Sequence, residues 1–286
     1  MFSPKQQIVF VTGKGGVGKS TVSAALARAE ADRGGQAQLV EFEGMHAAAR
    51  ALGSQAQGVR TVTVQYLDAL ADAIAGMVSS RLLARVIVRQ RALERVMQAV
   101  PAVRELVALE RVRTLAREMP GARVIVDLPA TGHAVDWLRV VAAAERFLRT
   151  GPAAKMCRAI LDEVLSPERS AIVVVSTAEP VVASETGELC ERLRSELDRT
   201  PEIVIVNRVP RRPGPEELEA AARRAETDPR YAPLSDLLSA DAATQSETAL
   251  ALAALRGIAS ARVAEVPDLF ADPEPRSFAA LVGVTT

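Results

Sequence analysis

IVFVTGKGGVGKSTVSAALA, from Ile8 to Ala27, is an apolar strand, a glycine-rich turn and the opening of a helix. Within it Gly13, Gly18, Lys19 and Ser20 match G-x-x-x-x-G-K-[ST], and the flanking strand and helix are the setting that such a match requires. The glycines let the backbone curl so that successive N–H groups point inward at a polyphosphate. Gly13, Gly15, Gly16, Val17, Gly18, Lys19, Ser20 and Thr21 are therefore the candidate phosphate-cradling residues. Lys19 is placed to neutralise β- and γ-phosphates, and Ser20 to offer its hydroxyl to Mg²⁺. The helix that starts here adds unpaired N–H groups and the positive end of its dipole to the same anion site. The pattern implies a nucleoside triphosphate site.

Lys14 narrows this reading. With it the loop becomes K-G-G-x-G-K-[ST], which resembles the deviant Walker A (SIMIBI-class) loop of the family that includes the arsenite-pump ATPase, the tail-anchored-protein targeting ATPase and the MinD/ParA partitioning ATPases. The resemblance implies ATP as the nucleotide and a face-to-face dimer. It also implies that Lys14 reaches across that dimer to the phosphates bound by the other subunit, in the manner of an arginine finger. The only lysines are Lys5, Lys14, Lys19 and Lys155, while arginine does nearly all other cationic work.

A chain of 286 residues is long enough to bury the core of one large α/β domain spanning 1–286. Its hydrophobic content of 49% with 24% charge suits a globular protein. The formal net charge of +0 provides no electrostatic footprint for nucleic acid or an acidic membrane. No apolar run approaches a membrane span and MFSPKQQ lacks a signal-peptide plan, so a cytoplasmic location without direct membrane insertion is expected. Cys157 and Cys190 form neither C-x-x-C nor a metal spacing, and read as helix-face thiols.

The second strand, Ala37 to Phe42, leads into E-F-E-G-M-H. In the resembled family this strand ends in an aspartate, switch I, which orients the attacking water. Glu43 stands at that position, one methylene longer. Alternation along the strand would point Glu41 and Glu43 to the same face. The plainer alternative is that Glu43 is an acid at a helix N-terminus, favoured by the dipole. Further on, RVIVD (123–127) reads as a buried strand, and the L-P-A-T-G-H after it resembles the family's D-T-A-P-T-G-H switch II. By that resemblance Asp127 holds Mg²⁺ opposite Ser20, while Thr131, Gly132 and His133 sense the γ-phosphate. The T-G-H ending points to the arsenite-pump and tail-anchored-targeting branch.

Between the switches, from about 66 to 120, apolar residues such as Leu82, Leu83, Val86 and Ile87 recur at helical spacing, and Pro101 divides the stretch. This predicts an inserted helical subdomain. In the targeting ATPases such helices contribute to a client groove, but the same periodicity fits helices packed on a sheet. Glu185 and Thr186 match the end of the family's T-x-P-E-x-x-x-x-E-T helix. The strand Glu202 to Val206 ends at Asn207, whose amide can accept from adenine N6 and donate to N7. The family reads adenine with an asparagine here, and Val266-Pro267 resembles a second adenine-side contact. The other reading of Asn207 is a strand-end turn. The methionine-rich insertion of the targeting ATPases is lacking, two cysteines do not supply an arsenite pump's cluster, and Glu274 to Thr286 shows no basic amphipathic helix.

The expected fold is α/β, a doubly wound and mainly parallel sheet flanked by helices, with nucleotide at the C-terminal ends of the strands. The expected function is Mg²⁺-dependent ATP hydrolysis by a dimer, with itself or with a related ATPase. ATP-driven closure would bind and release a protein client. The alternative, motivated by Glu43, is a weakly hydrolysing interaction subunit that works with a paralogue.

Overall fold

The computed structural model describes residues 2–53, 57–78, 100–129, 134–210, 214–258 and 261–268. Its strands are β1 (Ile8–Gly13), β2 (Ala37–Phe42), β3 (Val59–Val64), β4 (Arg123–Asp127), β5 (Ser170–Thr177), β6 (Ile203–Val209) and β7 (Arg262–Pro267). β1, β2 and β5 are buried along their whole lengths. Strands apolar on both faces belong inside a parallel sheet with helices above and below. One sheet results, in the order β3-β2-β4-β1-β5-β6-β7, and every pairing is parallel. The chain runs from β1 out to β2 and β3, returns to insert β4 beside β1, and then winds outward on the other side through β5, β6 and β7, so the end of β1 lies at the crevice where such sheets bind ligands.

The helices are α1 (Lys19–Asp32), α2 (Ala47–Leu52), α3 (Tyr66–Val78), α4 (Pro101–Glu118), α5 (Ala134–Leu148), α6 (Pro152–Ile160), α7 (Pro180–Leu197), α8 (Pro215–Thr227) and α9 (Leu234–Arg256). On one face Val22, Leu26 and the alanines of α1 meet Val9, Val11, Leu39 and Val173. The small alanines permit the close approach that seats the start of α1 against the end of β1. On the other face Phe10, Phe42, Val126 and Val174 pack with Leu109 and Leu115 of α4, Trp137 of α5, Leu193 of α7 and Leu252 of α9. Ala69, Leu70 and Ala73 of α3 join that same core. The described parts of residues 66–120 therefore pack on the sheet. Residues 79–99 of that segment lie outside the described residues.

Most sequence-derived boundaries agree to within a residue or two, and two differ for a reason. The α6 helix changes to a π turn at Leu161–Leu165, where the sequence by itself reads as one helix from Pro152 to Leu165. β6 does not end before Asn207: it continues to Val209 through a register shift against β7, with Arg208 in the left-handed region at φ 55°. A bulge of this kind re-aims side chains at a sheet rim.

Candidate nucleotide site

The loop after β1 is built on two glycine positions that no other residue fits. Gly13 has φ 143°, and a Cβ there would overlap the Val175 carbonyl oxygen on β5. Gly18 caps α1 at φ 95°, and a Cβ there would overlap Nδ2 of Asn207. Between them Lys14, Gly15 and Gly16 are exposed, while Val17 is buried in the α1-side core. Thr21, on the first turn of α1, is half-buried.

Lys19 is buried, and its Nζ donates to the loop's own Lys14 carbonyl at 2.8 Å. Burial holds this ammonium below the usual lysine pKa, and the nearby charge of Asp127 partly offsets the shift. Asp127 closes β4, the strand beside β1. Its Oδ2 accepts from Ser20 Oγ at 2.7 Å and its Oδ1 from Ser23 Oγ at 3.1 Å. Burial pushes the Asp127 carboxyl up to about 6. The two hydroxyl bonds and Lys19 pull the other way, and the charge of Glu41 adds to the rise. A buried carboxylate aligned with a hydroxyl is a hard oxygen pair, the donor set that Mg²⁺ takes while keeping several waters. Ser20 and Asp127 therefore fit Mg²⁺.

The two acids at the end of β2, Glu41 inside the strand and Glu43 just beyond it, diverge, which corrects the same-face expectation. Glu41 is buried, and its carboxylate accepts from the N–H groups of Ala48 and Ala49 at 2.8 and 3.0 Å, closing the start of α2. Glu43 lies in the turn beyond the strand, where alternation no longer governs direction. It is exposed, and its Oε2 accepts from the Tyr66 N–H at 3.3 Å, at the start of α3. Tyr66 also stacks on Phe42, which meets Trp137 edge-on at 4.7 Å.

From the far side, Asn207 is buried and its Nδ2 donates to the Val17 carbonyl at 2.9 Å, while Arg208 Nη1 donates to the Gly16 carbonyl at 3.2 Å. Pro267 pairs with Val209 across the bulge, on the same rim. Lys14 forms an ion pair with Glu185 of α7 at 2.7 Å. A cleft of about 350 Å³ lies here, lined by Gly13, Lys14, Gly15, Ala134, Glu185 and Thr186 among others. Thr131, Gly132 and His133 lie outside the described residues. A larger cleft of about 770 Å³ between α5 and α7 holds Arg139 and Arg199, but Glu196 and the Leu165 and Ser170 carbonyls already satisfy them. Lysine, carboxylate and hydroxyl side chains from α1, β4 and α7 converge instead at the phosphate loop.

Sequence reasoning missed Ser23 and Arg208. Ser23 carried a signal, since it stands three residues after Ser20 on one helix face. Arg208 carried none, because its left-handed backbone depends on the pairing of β6 with β7.

Comparison with known proteins agrees with this geometry. The ATPase BagA of Mycobacterium tuberculosis is 26% identical over 233 residues, covering 74% of this chain and 68% of that protein. A protein of Mycobacterium bovis that also bears an ATPase name matches to the same extent. The family model described as anion-transporting ATPase matches residues 6–162, the part that holds the phosphate loop, Glu43, Asp127 and α1 to α6. The chain belongs to that family, and is a P-loop ATPase of the arsenite-pump type.

Proposed function

We propose that this protein hydrolyses ATP in a Mg²⁺-dependent reaction within a dimer, and that ATP-driven closure of the dimer binds and releases a protein client. The observation that carries the reading is the Ser20–Asp127 pair at 2.7 Å, at the foot of a loop containing Lys19 and Lys14. Bound Mg²⁺ would neutralise charge on the β- and γ-phosphates. The loop N–H groups and the α1 N-terminus would hold the phosphates, with Lys19 contributing its free ammonium hydrogens. Asp127 and Ser20 would carry the metal. Asn207 and Pro267 would bound the adenine, and for Asn207 this requires exchanging its bond to the Val17 carbonyl for the base. Glu43 would orient the attacking water, and Lys14 would act on the partner's phosphates. The partner is a second copy or a related ATPase, in the cytoplasm, without nucleic acid or membrane insertion.

A weakly hydrolysing interaction subunit is the second reading, favoured by one observation. Glu43 is a residue longer than aspartate that already caps α3. Phosphate release measured with and without Mg²⁺, across protein concentrations, tests both readings. Turnover per subunit that rises with concentration and vanishes on Lys14→Ala supports the first. Acceleration by Glu43→Asp from a near-zero rate supports the second. Capture from native extract on Glu43→Gln protein, with ATP in one arm and ADP in the other, tests the client.

A further inference from the structure

Lys14 is the residue on which the dimeric reading depends, yet its ammonium is held within its own chain. Nζ contacts both oxygens of the Glu185 carboxylate, at 2.8 and 2.7 Å. Glu185 is itself fixed in place. The next residue, Thr186, is buried, and its Oγ1 donates to the Val182 carbonyl at 2.7 Å and lies in hydrogen-bond contact with the Ser176 hydroxyl of β5 at 2.8 Å, pinning this turn of α7 to the sheet. The other cation near the cleft, Arg192, is paired with Asp136 and Glu196, so Glu185 is left to Lys14. Glu188, the remaining acid of the cleft, makes no contact with Lys14 among the described residues.

We propose that Glu185 is a positioning residue that parks Lys14 against its own α7 and must release it before Lys14 can reach phosphates across a dimer. The release step rests on the dimeric ATPase reading above, whereas the parking itself does not. An ammonium that gives two of its three hydrogens to a carboxylate on its own chain keeps only one for a phosphate of another subunit, and opening the pair frees the other two. The hold is weak by construction, since both side chains remain 44% exposed. An exposed pair of this kind shifts an equilibrium by no more than about fivefold. Two copies must open to form one symmetric dimer, so the combined effect on association reaches about 25-fold. Polyphosphate, with more charge than one carboxylate, can displace such a partner.

The test uses the full chain and the other lysines as references. Limited acylation with an amine-reactive acetyl ester, read residue by residue by mass spectrometry, reports whether Lys14 is free. Relative to Lys5 and Lys155, Lys14 should become two- to fivefold more reactive in Glu185→Gln, whereas Glu185→Asp, which keeps the charge, should stay nearer the wild type. Unchanged Lys14 labelling in Glu185→Gln, with Glu185→Ala as a second variant, overturns the proposal. In parallel, the concentration for half-maximal self-association in a slowly hydrolysed ATP analogue should fall by up to about 25-fold in Glu185→Gln. Raised labelling with an unshifted midpoint overturns the claim that the pair opposes dimer entry. A wild-type protein that neither hydrolyses ATP nor self-associates counts against the proposed function, and the labelling still decides the parking.

Discussion

The floor of the phosphate loop and its lip are held differently. At the floor, Lys19, Ser23 and Asp127 are buried, and short bonds tie Asp127 to two hydroxyls of α1. At the lip, Lys14 and Glu185 keep nearly half their surface in water, and among the described residues Glu43 accepts from one N–H, at 3.3 Å. Burial makes a lost partner costly, whereas exposure lets water replace it. The floor is therefore rigidly held, and the lip consists of exposed contacts that water or a ligand can exchange. The proposed cycle, which holds phosphate and opens and closes around it, would draw on both.

The floor should break hardest at its backbone. Gly13→Ala forces a Cβ into the Val175 carbonyl at a φ that alanine avoids, and should cost more than about 3 kcal/mol in a denaturant melt. Wild-type stability for that variant would mean the loop is not clamped to β5. Asp127→Asn sharpens the contrast in the other direction. The Asp127 pKa is raised in the folded chain from 3.8 to about 6, so at pH 7 its ionised form opposes folding by on the order of 3 kcal/mol. That penalty is relieved as pH falls from above 6 towards 4, so nucleotide-free wild type should gain stability on mild acidification through this group. Asp127→Asn should be more stable than wild type at pH 7, should lose the acid gain, and should lose Mg²⁺-dependent turnover; melts at pH 5 and pH 7 with a phosphate-release assay check all three.

Smaller effects are expected where the loop meets β6. Asn207→Ala leaves the Val17 carbonyl without its partner and should cost about 1–2 kcal/mol, together with weaker nucleotide binding by a fluorescent ATP analogue. The lip should be the least sensitive in stability. Glu43→Gln should change the melting free energy by less than roughly 0.5 kcal/mol, because the contact is exposed and long. Its effect should fall on turnover, so a large loss of stability with unchanged turnover would reverse the assignment of Glu43 to the reaction.

The site was legible where chemistry is local in the chain. A glycine-rich loop requires consecutive residues, so Gly13 to Thr21 announced themselves, and Asp127 did so through the buried strand before it. The same logic failed one residue beyond β2. Period-two alternation holds only while the backbone is extended, and the turn at Glu43 sends its carboxylate to α3 while Glu41 closes α2. Glu185 was readable as a motif position, but its pairing with Lys14 links residues 171 apart, and no local pattern encodes that distance.

The sequence by itself determined the parallel α/β fold, the phosphate loop and the family, because each rests on apolar runs or on short motifs whose residues are close in the chain. Only the tertiary structure decided how the loop is gripped from outside. The β6–β7 register shift delivers Asn207 and Arg208 to the Val17 and Gly16 carbonyls, and the anchoring of α7 on β5 sets Glu185 against Lys14. Those contacts join segments that meet only when the sheet is assembled, and strand order and register are properties of the whole packed core rather than of any one stretch.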